Sequence, residues 1–102
     1  MDCICIKGKA MNEKLIERKL VKAVQAAGGK ALKFSSPYET GYPDRLVLMP
    51  GGRAFWAEIK TTGKRPTAKQ LLRKAELERL GFVSVVIDSD EGIKEFLKRI
   101  TE

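Results

Sequence analysis

Two acidic residues, each next to an apolar segment, are the residues of this sequence best placed to do chemistry. Asp44 precedes the segment 46–49, and Glu58, fourteen residues further on, follows the segment 54–57. Pro50-Gly51-Gly52 between the segments predicts the tight turn of a β-hairpin. Both acids lie seven residues from Gly51, so a hairpin that pairs symmetrically about this glycine would set their carboxylates opposite each other.

Lys60 would join the pair, because side chains two residues apart on a strand share one face. Carboxylate oxygens are the ligands that Mg²⁺ or Mn²⁺ prefers, and the chain contains no histidine. A bound divalent cation acidifies water and neutralises phosphate charge, while a neighbouring ammonium stabilises charge that develops on the phosphate. The three residues therefore predict metal-dependent hydrolysis of phosphodiester bonds.

The position of Glu58-Ile59-Lys60 in the predicted hairpin supports an active site more strongly than the Glu-x-Lys pattern itself. Glu17-Arg18-Lys19 has the same Glu-x-Lys pattern inside a predicted helix, so the tripeptide alone is not specific. What distinguishes Glu58 is its place at the end of an apolar strand, with Asp44 on the preceding strand. A surface ion pair at a strand end is the alternative interpretation of these residues.

A third acidic residue is expected from the first helix. Glu17 precedes Leu20 by three residues and Val24 by seven, so it lies beside the buried stripe of the helix. A metal centre at the sheet edge could provide a partner for its carboxylate, with Glu13, one turn earlier, as the second candidate. The spacing fits equally well the alternative that Glu17 is a solvated helix charge among basic neighbours.

The elements that position these residues follow the order α-β-β-β-α-β-α, a layered α/β domain. The predicted bounds are a helix over 11–27 with Asn12 as its cap, a strand over 31–35, the two hairpin strands, a helix over 67–80, a strand over 82–87 and a last helix capped by Ser89. The second helix opens on a capping box formed by Thr67 and Gln70.

Several side chains are expected to pack in the core. Ile16, Leu20 and Val24 form a stripe at helical spacing in the first helix, and Ile93, Phe96, Leu97 and Ile100 form one in the last. Leu71, Leu72 and Ala75 are expected to face inward from the second helix. Trp56 alternates in phase with Glu58 inside an apolar strand, which favours packing over base stacking.

The charge of the chain indicates a polyanionic partner. Its 102 residues suit one domain, and twenty Lys and Arg against thirteen Asp and Glu give a net charge of +7. Simple solubility is the alternative explanation. The candidate phosphate contacts lie beside the site, partly on the basic loop 61–66, and on the first strand. They are Lys64, Arg65, Lys69, Arg73, Lys30 and Lys33.

Residues 1–10 are predicted to form an N-terminal arm, a short strand or a disordered segment, ahead of the domain over 11–102. Cys3 and Cys5 in this arm are the only cysteines, too few for a tetrahedral zinc site without histidine. No apolar run reaches the roughly 18 residues of a membrane span, and no signal peptide is apparent. We therefore expect a soluble, intracellular protein without a membrane partner.

The ordered set of motifs resembles the VRR-NUC (virus-type replication-repair nuclease) domain of the PD-(D/E)XK nuclease superfamily. The resemblance covers roughly residues 11–100 and rests on Glu17, the run Gly41-Tyr42-Pro43-Asp44-Arg45-Leu46-Val47-Leu48, the run Trp56-Ala57-Glu58-Ile59-Lys60, and Gln70. It implies a restriction-endonuclease-like core with a mixed central sheet flanked by helices.

The resemblance also implies an Mg²⁺- or Mn²⁺-dependent endonuclease. Asp44, Glu58 and the main-chain carbonyl of Ile59 would bind the metal, and Lys60 would be the catalytic lysine. Glu17 would complete the acidic set, directly or through a water. The run Glu17-Arg18-Lys19-Leu20-Val21 is similar to the first acidic motif of archaeal Holliday-junction resolvases, which favours Glu17 over Glu13. Gln70 corresponds to a glutamine that orients the lysine or the phosphate, with a plain capping role as the alternative.

Short stand-alone members of this family, especially phage-like ones, resemble junction resolvases that act as dimers on four-way DNA. The resemblance therefore implies a homodimer that cleaves branched DNA, such as a Holliday junction. A restriction-type nuclease that reads a sequence in linear duplex is one alternative. A non-catalytic nucleic-acid-binding module is the other, although the four central residues Glu17, Asp44, Glu58 and Lys60 are all present.

Overall fold

The computed structural model describes residues 10–102, so the predictions for the arm, including Cys3 and Cys5, lie outside the described residues. The predicted order of elements is confirmed. The elements are α1 (Glu13–Ala26), β1 (Lys30–Lys33), β2 (Arg45–Met49), β3 (Arg53–Ile59), α2 (Ala68–Arg79), β4 (Val83–Ile87) and α3 (Asp90–Ile100). Between residues 10 and 102, no helix has the length and apolar character that crossing a membrane requires.

The helices begin where their capping residues predict. The side chain of Asn12 caps α1, and Ser89 caps α3 by accepting a hydrogen bond from a backbone N–H. At the start of α2, Thr67 and Gln70 exchange side-chain to backbone hydrogen bonds in a complete capping box. Each cap satisfies N–H groups that the first helical turn leaves without partners. The helix starts are therefore determined locally.

The four strands form a mixed sheet in the order β1-β2-β3-β4. The β1-β2 and β2-β3 pairs are antiparallel, whereas β3 and β4, which α2 connects, are parallel. The β2-β3 pairing runs from Arg45 opposite Ala57 to Met49 opposite Arg53, a register centred on Gly51. Gly51 and Gly52 have φ of 89° and 76°, the left-handed conformation that this turn requires.

The first strand differs from its prediction at its end. It stops at Lys33 rather than at residue 35. The N–H of Phe34 donates to the carbonyl of Asp44 at 2.9 Å, and beyond this hydrogen bond the chain leaves the sheet for the loop that leads back to Asp44.

The main core lies between the sheet and a layer formed by α1 and α3. It contains the predicted stripes of both helices and, from β2 and β3, the odd-numbered residues Val47, Met49, Phe55, Ala57 and Ile59. Because strand side chains alternate between faces, the even-numbered residues Trp56 and Glu58 point to the opposite face. Trp56 is only 8% exposed and packs against Phe34, with ring centroids 4.9 Å apart. The packing role predicted for Trp56 is confirmed.

Helix α2 covers this second face mainly through polar contacts. The prediction that Leu71, Leu72 and Ala75 face inward is wrong, since Leu71 and Leu72 are 50% and 63% exposed and Ala75 is exposed as well. Leu77 is the one buried residue of this fully described helix. The inward side carries Gln70 and Arg73 instead, and their hydrogen bonds to the sheet end and the 34–43 loop set the rotation of the helix.

Candidate active site

Asp44 and Glu58 meet at the sheet end where β2 begins and β3 ends. Continuing the β2-β3 register by one pair sets them opposite each other, as the symmetric hairpin predicts. Asp44 Oδ2 accepts a hydrogen bond from the backbone N–H of Ile59 at 2.9 Å. The Lys60 ammonium lies 3.9 Å from Glu58 Oε2, and its side chain is 15% exposed. The structure thus brings the three hairpin residues together.

Gln70 contacts Glu58 and caps α2 at the same time. Its Nε2 donates to Glu58 Oε2 at 2.7 Å, while its Oε1 accepts from the N–H of Thr67 at 2.8 Å. The two contacts are compatible, because each uses a different end of the amide. Its contact in the site is Glu58 rather than Lys60.

The environment of Glu58 suits a cation ligand. Burial, and then the neighbouring Asp44 carboxylate, raise the pKa of Glu58 to about 7, although Lys60 acts in the opposite direction. Its Oε1 is buried and has no hydrogen-bond partner among the described residues. A buried carboxylate oxygen without a partner is costly, and a divalent cation would satisfy it.

The carboxylates of Asp44 and Glu58 are donors that fit a hard divalent cation. Within residues 10–102, no three acidic, histidine or cysteine side chains cluster closely enough to hold an ion alone. A cation bound here would therefore retain several waters, as Mg²⁺ usually does in proteins.

The two acids of α1 have different partners. Glu17 Oε2 accepts a hydrogen bond from Arg45 Nε at 2.9 Å, and Arg45 Nη2 lies 2.9 Å from the same oxygen in an ion pair. Arg45 follows Asp44 in the chain, so alternation along β2 directs it to the opposite face of the sheet. Glu13, one turn earlier, is instead among the charges that raise the pKa of Glu58. Of the two candidates, Glu13 is therefore the one found among the charges that act on Glu58.

The predicted phosphate contacts divide into two groups. One group is exposed to solvent and consists of Lys64, Arg65, Lys69, Lys30 and Lys33. Arg73 differs, since its side chain is only 17% exposed. Its Nε donates to the carbonyl of Thr40 at 2.9 Å, and its guanidinium lies 4.8 Å from the centre of the Tyr42 ring. Arg73 is thus held within the protein against the 34–43 loop.

The loop that leads to Asp44 is held against α2 by several contacts. The Tyr42 hydroxyl donates to Glu76 Oε1 at 2.8 Å, and this hydrogen bond raises the pKa of Tyr42 and lowers that of Glu76. Gly41 has φ of 92°, and a Cβ there would lie 2.8 Å from Lys69 Cγ. Tyr42 and Glu76 are 34 residues apart, so no local sequence pattern predicts their contact.

Comparison with known proteins shows likeness over most of the chain. No family model matches. The chain is 42% identical over 83 residues to "Putative nuclease p44" of Acyrthosiphon pisum secondary endosymbiont phage 1, an alignment that spans 81% of this chain and 89% of the phage protein. A solved structure described as "VRR_NUC domain" superposes with a TM-score of 0.81 at 24% identity, over 87% of this chain and 97% of its own. A second, "VRR_NUC domain protein", has a TM-score of 0.68 at 18% identity, over 90% and 89% of the two chains.

The raised pKa of Glu58 predicts a pH-dependent stability of the metal-free protein. The folded-state pKa of about 7 exceeds the ordinary value of 4.5, so the folded state binds this proton more tightly than the unfolded state does. The free energy of unfolding should therefore fall as pH rises between these values, by about 3 kcal/mol in total. No histidine titrates in this interval.

Denaturant unfolding in EDTA at pH values from about 5 to about 8 measures this dependence. Glu58→Gln, which stays neutral, should lose it, while Glu95→Gln on the exposed side of α3 should keep it. The attribution to Glu58 is wrong if the free energy of unfolding of wild type does not fall as pH rises. It is also wrong if that of Glu58→Gln falls as steeply as that of wild type.

Proposed function

We propose, from the membership of this chain in the VRR-NUC nuclease family, that it is a divalent-metal-dependent endonuclease that hydrolyses DNA phosphodiester bonds in the cytoplasm. One observation carries the proposal beyond the family. The buried Glu58 carboxylate has an oxygen without a partner beside Asp44 and Lys60, the arrangement that a cation and a phosphate would complete.

Each residue of the proposed site has a distinct role. Asp44, Glu58 and the carbonyl of Ile59 would hold Mg²⁺ or Mn²⁺, which when bound acidifies water and neutralises phosphate charge. Lys60 is partly buried, so its ammonium acts on developing phosphate charge with little screening by water. Gln70 is a positioning residue that fixes the Glu58 carboxylate through the 2.7 Å hydrogen bond.

We assign the acidic residue of α1 in this site to Glu13 rather than to Glu17. The coupling of Glu13 to Glu58 supports this choice. Glu17 already has a charged partner, since Arg45 forms an ion pair with it and donates a hydrogen bond to it. A carboxylate satisfied by a guanidinium is a poor competitor for a cation, because binding the cation would break that pair.

We also propose that the substrate is branched DNA, such as a four-way junction, and that the active form is a homodimer. The net charge of +7 supports association with DNA. A dimer with a two-fold axis presents two sites to the two symmetric strands of a junction.

The outward side of α2 and the turn after it support self-association. Large apolar side chains are exposed there: Leu71 by 50%, Leu72 by 63%, Leu80 by 65% and Phe82 by 40%. Exposed large apolar side chains are typical of interaction surfaces, and a second copy would bring the same residues to a two-fold interface.

The catalytic assignment predicts a loss of cleavage on substitution of Glu58 or Lys60. Glu58→Ala and Lys60→Ala should each reduce the cleavage rate about 100-fold or more, and EDTA should abolish cleavage. Glu91→Ala and Lys94→Ala, exposed on α3, are matched controls that should cleave like wild type. Four-way junction, flap, single-stranded and linear duplex DNA are compared side by side with Mg²⁺ and Mn²⁺.

Equal cleavage by wild type and the Glu58 and Lys60 variants would remove the catalytic assignment. Cleavage at one sequence motif irrespective of branching would replace the junction substrate with a restriction-type one. Metal-independent binding with no cleavage of any substrate would identify a non-catalytic module.

The metal dependence of cleavage should distinguish the roles of Glu13 and Glu17. Glu13→Gln should raise the Mn²⁺ concentration for half-maximal cleavage about tenfold. Glu17→Gln should instead lower the melting temperature, because it weakens the pair with Arg45, and leave the Mn²⁺ dependence unchanged. Titration of the rate with Mn²⁺ and thermal melting of both variants measure the two effects. The reverse pattern would return the assignment to Glu17.

The dimer predicts a concentration-dependent mass. Light scattering should give twice the chain mass of 11.4 kDa for wild type, and Leu72→Glu should shift the protein to monomer, since a charge there is unfavourable in an apolar interface. Leu15→Glu, at an exposed leucine of α1, is the control that should stay dimeric. A monomeric wild type, or a dimeric Leu72→Glu, contradicts the proposed interface.

A further inference from the structure

A basic groove lies along α1, apart from the Asp44-Glu58 pair. Its volume is about 710 Å³, and its charged lining consists of Lys14, Glu17, Arg18, Lys22 and Arg45. Lys14, Arg18 and Lys22 are exposed and recur every four residues, so they form one row along the helix. The four-residue spacing is visible in the sequence, but it does not by itself indicate a binding role.

The groove has a strong excess of positive charge. Its one carboxylate, Glu17, is neutralised by Arg45, which also donates to the carbonyl of Ala31 at 3.0 Å and is thereby fixed. Lys33 of β1 lies 3.9 Å from Glu17 and adds a further cation beside the groove. Among residues 10–102, the three cations of the row make no ion pair.

Within residues 10–102, the row is a series of like charges without ion-pair partners. Lys19 and Lys74, by contrast, are paired with Asp90 at 3.1 Å and with Glu78 at 2.6 Å. Three like charges at successive i,i+4 positions repel one another and destabilise the helix. A bound polyanion would turn that repulsion into attraction.

The groove begins near the loop that follows Lys60. Met11, just before α1, exchanges hydrogen bonds with Thr62, two residues after Lys60, at 2.9 Å in both directions. From Lys14 to Lys22 the helix rises about 12 Å. One DNA strand advances roughly 3.4 Å per nucleotide, so the row matches about three to four nucleotides of backbone.

We propose that this groove binds the phosphate backbone of a DNA arm that leaves the active site, with Lys14, Arg18 and Lys22 as the phosphate contacts. The proposal rests on the proposed nuclease function and deepens it, since it gives the enzyme contacts beyond the cleaved bond. Such contacts hold DNA irrespective of its sequence.

The triple variant K14Q/R18Q/K22Q tests the groove, and K94Q/K98Q/R99Q on α3 removes the same charge from exposed positions elsewhere. Binding of labelled four-way junction is measured without metal by fluorescence anisotropy over a salt series. The α1 variant should bind about tenfold or more weakly, and its slope of log affinity against log salt should fall by about 2.7, or 0.9 for each lost contact. The α3 variant should match wild type.

Lysine acetylation of wild type provides a second measurement that needs no substitution. DNA should protect Lys14 and Lys22 and leave Lys94 and Lys98 reactive. If wild type cleaves DNA while the α1 variant binds like the α3 variant and Lys14 stays reactive, the groove proposal is wrong and the nuclease function stands. If wild type neither binds nor cleaves DNA, both are wrong.

Discussion

The burial of Glu58 beside Asp44 is the constraint on which the site depends. A carboxyl group that is 5% exposed, next to a second acid, is costly to ionise, and its pKa rises to about 7 accordingly. The surrounding chain offsets part of this cost through the Gln70 hydrogen bond and the Lys60 ammonium. Within the part of the chain that the structure describes, one Glu58 oxygen still lacks a partner, which a bound cation would supply.

The same constraint determines how α2 lies on the sheet. Because Gln70 must reach Glu58, and Arg73 must reach the carbonyl of Thr40, the polar side of the helix turns inward. Leu71 and Leu72 are consequently left on the outside, against the usual preference for burying apolar side chains. A single rotation of the helix thus supports the site on one side and exposes an apolar surface on the other. In a small domain, supporting a polar site can leave apolar surface for a partner.

Glu13 and Glu17 lie one turn apart on α1 and have different surroundings. Glu13 lies where it acts on Glu58, whereas Glu17 lies against Arg45 on the other face of the sheet and helps to form the floor of a basic groove. The helix therefore joins two surfaces, the proposed metal-binding end of the sheet and the row of positive charges proposed to bind phosphate. In the proposed enzyme, this arrangement would provide contacts to DNA beyond the cleaved bond.

The sequence by itself determined the features that local geometry controls. The glycines of the hairpin turn and the period-two alternation of strands were enough to pair Asp44 with Glu58, and the capping residues located the starts of all three helices. Only the tertiary structure decided the rotation of α2 and the partner of Glu17. Those outcomes depend on contacts between distant residues, Gln70 with Glu58 and Glu17 with Arg45. The apolar pattern of α2 predicted that Leu71 and Leu72 face the sheet. This prediction failed because a local pattern does not reflect the polar tertiary contacts that determine the rotation.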